Sequence, residues 1–155
     1  MTSPSLSKIL ESAREDPTLF SQIDIDALLN SVKNDFLEGQ TFDSISRDLV
    51  DSMKSECIPR PLIQEFCSKL TDYRFVGELH VLHKGKYARW IRKSDKTKLM
   101  RGGVVVDIKF GQDGANVLCR TPSGHFTQYR FDLCLTYQKL TEEEQLILMV
   151  YDHVP

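Results

Sequence analysis

Two adjacent glycines, Gly102 and Gly103, stand directly before the run Val104-Val105-Val106-Asp107-Ile108-Lys109-Phe110. Residues without a Cβ tolerate positive φ and close backbone contact, so this pair marks a bulge, a sharp bend or a close approach of two chain segments. A phosphate-cradling loop is the competing reading of paired glycines. The spacing of a phosphate loop, GxxxxGK followed by Ser or Thr, is absent and no helical pattern follows, which argues against it. Upstream, Tyr87, Arg89 and Ile91 alternate with Ala88, Trp90 and Arg92, a strand with two unlike faces in which the sole tryptophan is expected to face inward. A polar connector, Lys93–Thr97, leads to Lys98–Phe110, where Val104, Val106, Ile108 and Phe110 are expected to share one face.

The flanking segments extend this β unit. Arg74–His83 alternates loosely, and His83-Lys84-Gly85-Lys86 supplies a turn. After Phe110, the Asp113-Gly114 pair predicts a hairpin turn, because both residues tolerate left-handed backbone angles. Asn116–Thr121, His125–Phe131 and Leu133–Gln138 follow as short strands, with Pro122-Ser123-Gly124 as a second turn. About five strands at this spacing carry the rhythm of a small SH3-like antiparallel barrel. Beyond it, Thr141 and Glu144 fit a capping box that starts a C-terminal helix.

Ahead of the strands the periodicity is helical. Leu6, Ile9, Leu10 and Ala13 form one short apolar face, and Ile25, Leu28, Leu29, Val32, Phe36 and Leu37 form a second that ends at Gly39. A third helix is expected from about Phe42 through Met53 and a fourth over Leu62–Leu70, separated by Pro59 and Pro61. Such short helices are marginal alone and have to pack on one another or on the strands. The expected fold is therefore α+β: an N-terminal helical region over residues 1–72, then a five-stranded SH3-like antiparallel barrel with a C-terminal helix over 73–155. A chain of 155 residues that is 41% hydrophobic can build one such core, or two small ones.

Charge divides the same way. Residues 1–72 carry 7 Lys and Arg against 13 Asp and Glu, whereas Arg74–Arg130 carries 12 against 4. A basic surface of that kind attracts anionic partners, nucleic acid or acidic protein, and part of it balances the acidic half of the same chain. The candidate binding set is Lys84, Lys86, Tyr87, Arg89, Arg92, Lys93, Lys96, Lys98 and Arg101, cations interleaved with an aromatic ring. Trp90 and Tyr87 lie on opposite faces of their strand, so those two do not form one stacking platform.

Catalytic chemistry has no anchor in the sequence. Neither HExxH nor GxSxG occurs, and the clustered carboxylates Glu142–Glu144 are explained by a helix start. Asp107 stands alone in an apolar strand and is expected to face solvent or pair with Arg89. Cys57, Cys67, Cys119 and Cys134 show no CxxC pairing and read as reduced thiols, and His80 with His83 points to opposite sides of a strand. No catalytic residue, metal or cofactor is expected. No apolar run reaches the length of a membrane span and no signal-peptide pattern opens the chain, so the expectation is a soluble, non-secreted protein.

Three stretches, Lys84-Gly85-Lys86-Tyr87-Ala88-Arg89-Trp90-Ile91, Leu99-Met100-Arg101-Gly102-Gly103-Val104-Val105 and Tyr137-Gln138-Lys139-Leu140-Thr141-Glu142-Glu143-Glu144, resemble small β-barrel proteins of large nucleocytoplasmic DNA viruses of algae and amoebae. The resemblance covers roughly the second half of the chain and leaves the helical first half unmatched. It implies a non-enzymatic virion component, such as a minor capsid or internal virion protein, located in the virion or the cytoplasm of an infected host cell. Its implied partners are other proteins, capsid proteins among them, with nucleic-acid binding through Lys84–Arg101 as the alternative. No family site residue carries over, because the matching positions read as structural.

Overall fold

The computed structural model describes residues 32–153. Among these, three α-helices and seven strands form an α+β fold: α1 Phe42–Ser55, α2 Arg60–Lys69, β1 Tyr73–Val76, β2 Tyr87–Arg92, β3 Asp95–Leu99, β4 Gly103–Gly111, β5 Gly114–Arg120, β6 Phe126–Arg130, β7 Cys134–Lys139 and α3 Glu142–His153. The segment around Leu6–Ala13 lies outside the described residues. So does most of the helix expected over Ile25–Leu37, whose last part, Val32–Leu37, is a 3-10 turn.

The chain divides into two compact units, one taking in the residues up to Ile45 together with those from Leu140 onward, the other Ser46–Lys139. The expected boundary at residue 72 separates helices from strands, whereas this division falls inside α1. In the first unit Leu37, Ile45, Leu140, Ile147 and Leu148 are buried together. Both helix starts there are capped through side chains. Thr141 N–H donates to Glu144 Oε1 at 2.8 Å and Glu144 N–H donates to Thr141 Oγ1 at 3.1 Å, the reciprocal capping box expected from the sequence. Thr41 and Ser44 make the same exchange ahead of α1.

In the second unit the strands join one antiparallel sheet in the order β1-β7-β2-β4-β5-β6, with β3 on β2. Two expectations are corrected here. There are seven strands among the described residues rather than about five, and one of them was not expected at all: the polar KSDKT segment is mostly strand, with Asp95 paired to Arg92 and Leu99 to Ile91. The sheet is also open rather than a closed barrel, since β1 and β6 each pair with a single neighbour.

Its two faces are both packed. On the outer face Ile91, Leu135 and Tyr137 are buried against Leu49 and Met53 of α1 and Ile63 and Phe66 of α2. Tyr137 anchors this layer, its hydroxyl 2.8 Å from Ser52 Oγ. On the inner face Trp90, 2% exposed, stacks on Tyr129 with ring centroids 4.1 Å apart, among Val76, Ala88, Val105, Val117 and Cys119. The inward tryptophan and the two unlike faces of β2 follow the sequence pattern.

The valine run departs from it. Val105 opposes Cys119 and Asp107 opposes Leu118, so a bulge at Val106 adds one residue and reverses the parity. Val105 is therefore the buried valine, Val106 is exposed, and the shared face expected of Val104, Val106, Ile108 and Phe110 does not exist. The loose alternation of Arg74–His83 likewise resolves into β1 followed by a 3-10 turn at Leu79–Val81.

The paired glycines act through contact. Gly102 has φ +72°, and a Cβ there would lie 1.8 Å from the Ala88 carbonyl oxygen; one on Gly103 would lie 2.4 Å from that of Arg120. Only hydrogen fits at either place, so β4 enters wedged between β2 and β5. Beside it, the buried Gln138 amide ties down the connection into β2. It accepts from His83 N–H at 2.9 Å and from Arg74 Nη2 at 3.2 Å, and donates to the His83 carbonyl at 2.8 Å.

Candidate functional site

The nine residues singled out in the sequence occupy three places. Lys93 and Lys96 lie in the β2–β3 hairpin, each 3.7 Å from a Glu56 carboxylate oxygen at the end of α1, with Arg92 and Lys98 exposed near them. Part of the basic charge is thus balanced within the second unit itself. Lys84 lies 3.4 Å from Asp107, and Lys86 Nζ lies 2.7 Å from His83 Nδ1. Asp107 faces solvent, one of the two expectations for it, and its ion-pair partner is Lys84 rather than Arg89. The Ile108 N–H and the Lys84 cation hold its carboxyl below the usual range.

Tyr87, Arg89 and Arg101 come together at the other end of β2, where they meet two residues that the sequence reading did not single out. Tyr73, Tyr87, Arg89, Arg101 and Lys139 line an open groove of about 410 Å³. Strand pairing assembles it. Tyr73 opposes Lys139 across β1 and β7, while Arg89 opposes Tyr137 and Ala88 opposes Gln138 across β7 and β2. Tyr87 is the next residue along β2, and so continues the row of Tyr73 and Lys139. In a strand alternate residues share a face. Tyr87 and Arg89 therefore share the outer face with Ile91, beside the part of that face that the helices cover.

The connector between β3 and β4 fixes two of the lining side chains. Tyr87 Oη donates to the Arg101 carbonyl at 2.9 Å, Arg89 Nε donates to the Met100 carbonyl at 3.0 Å, and Met100 N–H donates to the Trp90 carbonyl at 2.8 Å. Gly102 lets this connector press onto β2. Both side chains are thus oriented before any ligand arrives, which lowers the ordering cost of binding.

The groove is mainly cationic, with Asp72 close enough to act on Tyr73. Among the described residues, no acidic side chain forms an ion pair with Arg89, Arg101 or Lys139. Burial pushes the Tyr73 phenol above its ordinary pKa, and the Arg89 cation beside it pulls partly the other way. The arrangement places cationic donors beside two half-buried tyrosine rings, of which Tyr73 also packs against the core under the helices.

Tyr73 and Lys139 had only a weak sequence signal. Each is a residue of ordinary type at the end of its strand, and only the pairing of β7 between β1 and β2 brings them to Tyr87. A second surface is apolar: Leu79, His80, Leu82, Lys84, Ile108 and Phe110 line an open groove of about 600 Å³, and Phe110 is 78% exposed. Among the described residues no helix is long and apolar enough to cross a membrane. Nor does any group of three or more His, Cys, Asp or Glu side chains gather there as metal ligands.

Comparison with protein-family models, curated proteins and solved structures finds no match to this chain.

Proposed function

We propose that this protein works by binding, without catalysis, and that the groove of Tyr73, Tyr87, Arg89, Arg101 and Lys139 is a nucleic-acid interface. One observation carries the reading: two tyrosines and three cations without an acidic partner share one open groove, and the chain's own backbone holds Tyr87 and Arg89 in place. Phosphates take the cations and bases stack on the rings, a combination that tolerates any sequence. The test is a fluorescence-anisotropy titration of a labelled oligonucleotide over a range of salt. Three phosphate contacts on a single strand give a slope of log affinity against log salt of about −2. Absence of binding even at low salt removes the reading.

The apolar groove supports a second reading, a surface for protein contacts; the role of a structural component of a large DNA virus particle rests on the sequence resemblance. A phenylalanine left 78% exposed beside Leu79, Leu82 and Ile108 is the kind of surface that a protein neighbour covers. A fixed ratio of this protein to the major capsid protein in purified particles is the expected result. Its absence from particles rejects that role.

A further inference from the structure

The row that begins at Tyr73 does not end in the groove. Tyr87 opposes Val104 across β2 and β4, Val104 opposes Arg120 across β4 and β5, and Arg120 opposes Phe126 across β5 and β6. Read in strand order, one register line therefore runs Tyr73, Lys139, Tyr87, Val104, Arg120, Phe126. Directly opposed residues in an antiparallel pair share a face, so all six belong to the outer face. Exposure agrees: Val105 and Cys119 are buried, while their neighbours Val104, Arg120 and Phe126 are not.

The far end repeats the chemistry of the groove. Phe126 is 65% exposed on the terminal strand of the sheet and contributes to none of the buried clusters. Arg120, beside it, forms no ion pair among the described residues. Rings and cations thus recur along a single line, with Arg89 and Arg101 flanking its first half. Five strand-to-strand steps of about 4.8 Å make a path of about 24 Å, room for an extended strand of about four nucleotides.

We propose that a single-stranded nucleic acid lies across the strands of this sheet, from Tyr73 to Phe126, with Arg120 and Phe126 forming a second subsite for one phosphate and one base. The proposal rests on the nucleic-acid reading of the groove and adds to it the strandedness of the ligand and its direction across the sheet. A duplex keeps its base faces stacked inside and offers this row only phosphates, leaving its rings unused. An unpaired strand engages rings and cations together.

The test uses the full chain and fluorescein-labelled oligodeoxythymidylates of two to about twelve nucleotides, the range that a small sheet surface covers. Affinity is expected to rise with length to about four nucleotides and then level off. Phe126→Ala is expected to lower affinity for the longer oligomers at least about fivefold while leaving the shortest unchanged, and Arg120→Gln to flatten the salt slope by about 0.7. Tyr87→Ala is expected to weaken every length. Phe126 and Arg120 are both exposed, and Trp90 fluorescence checks that each variant remains folded. Longer oligomers that respond to Tyr87→Ala but not to Phe126→Ala or Arg120→Gln overturn the crossing path and leave the groove intact. A duplex that binds as tightly as the single strand overturns the strandedness, and polyglutamate competing equally well shows a partner read by charge alone. If no oligomer binds at low salt, the underlying reading falls with the proposal.

Discussion

Gly102→Ala is predicted to be strongly destabilising, and Gly85→Ala is its control. Both glycines have positive φ, +72° and +86°, so an L residue at either meets the left-handed backbone penalty of about 1 to 2 kcal/mol. They differ in the room available. Nothing lies within 4 Å of a Cβ built on Gly85, whereas one on Gly102 falls 1.8 Å from the Ala88 carbonyl oxygen. Ordinary contact begins near 3.4 Å, so β2 and the β4 entry have to separate by about 1.6 Å. Three hydrogen bonds flank that point: Gly85 N–H to the Val105 carbonyl at 2.7 Å, Val105 N–H to that of Lys86 at 3.0 Å, and Met100 N–H to that of Trp90 at 2.8 Å. Losing them at about 1 kcal/mol each, on top of the backbone term, puts Gly102→Ala at about 4 to 5 kcal/mol, against about 1 to 2 for Gly85→Ala. Urea denaturation followed by the fluorescence of Trp90, which stacks on Tyr129, measures both. If the two variants fall within about 1 kcal/mol of each other, the close approach is not what the glycine serves.

Two further outcomes concern stability. Burial pushes the Cys119 thiol up to about 12 from 9.0, and raises the phenols of Tyr129 and Tyr137 above 10.0. Each of these groups holds its proton more tightly folded than unfolded. Their contribution is therefore complete below about pH 9 and declines above it, by about 1.4 kcal/mol per pH unit for each group past its unfolded pKa. Thermal melts from pH 8 to 11 should show this decline, and a flat profile to pH 11 contradicts the assigned burial. Thr141→Ala removes the cap of α3 and is expected to cost about 1 kcal/mol, with Thr141→Ser recovering most of it in the same denaturation assay. No recovery by serine means that the hydroxyl does not act as the cap.

How far the sequence revealed this protein depends on the range of each interaction. The α+β class, the helix over α1, the inward Trp90 and the capping box at Thr141 were all legible, because each rests on residues within a turn or a strand of one another. The bulge at Val106 was not. Three consecutive valines fit either parity, and the choice is made by the partner strand, where Cys119 and Leu118 take successive places opposite Val105 and Asp107. Strand β3 was missed for a related reason: Asp95, Lys96 and Lys98 are poor strand formers, and pairing with β2 outweighs that preference. The site shows the same limit. Tyr87, Arg89 and Arg101 stood out as neighbours in sequence, whereas Tyr73 and Lys139 join them only because β7 lies between β1 and β2. The cluster of nine, in turn, came apart because a strand carries its two ends in different directions, leaving Lys93 and Lys96 with Glu56.

The Gln138 amide that anchors the β1–β2 connection has no charge, and its bonds to the His83 backbone do not weaken as counterions accumulate. Exposed pairs such as Lys84 with Asp107 loosen in concentrated electrolyte, but this tether does not. A loss of ligand at high ionic strength therefore reports the ligand's own contacts, with the scaffold beneath them still in position.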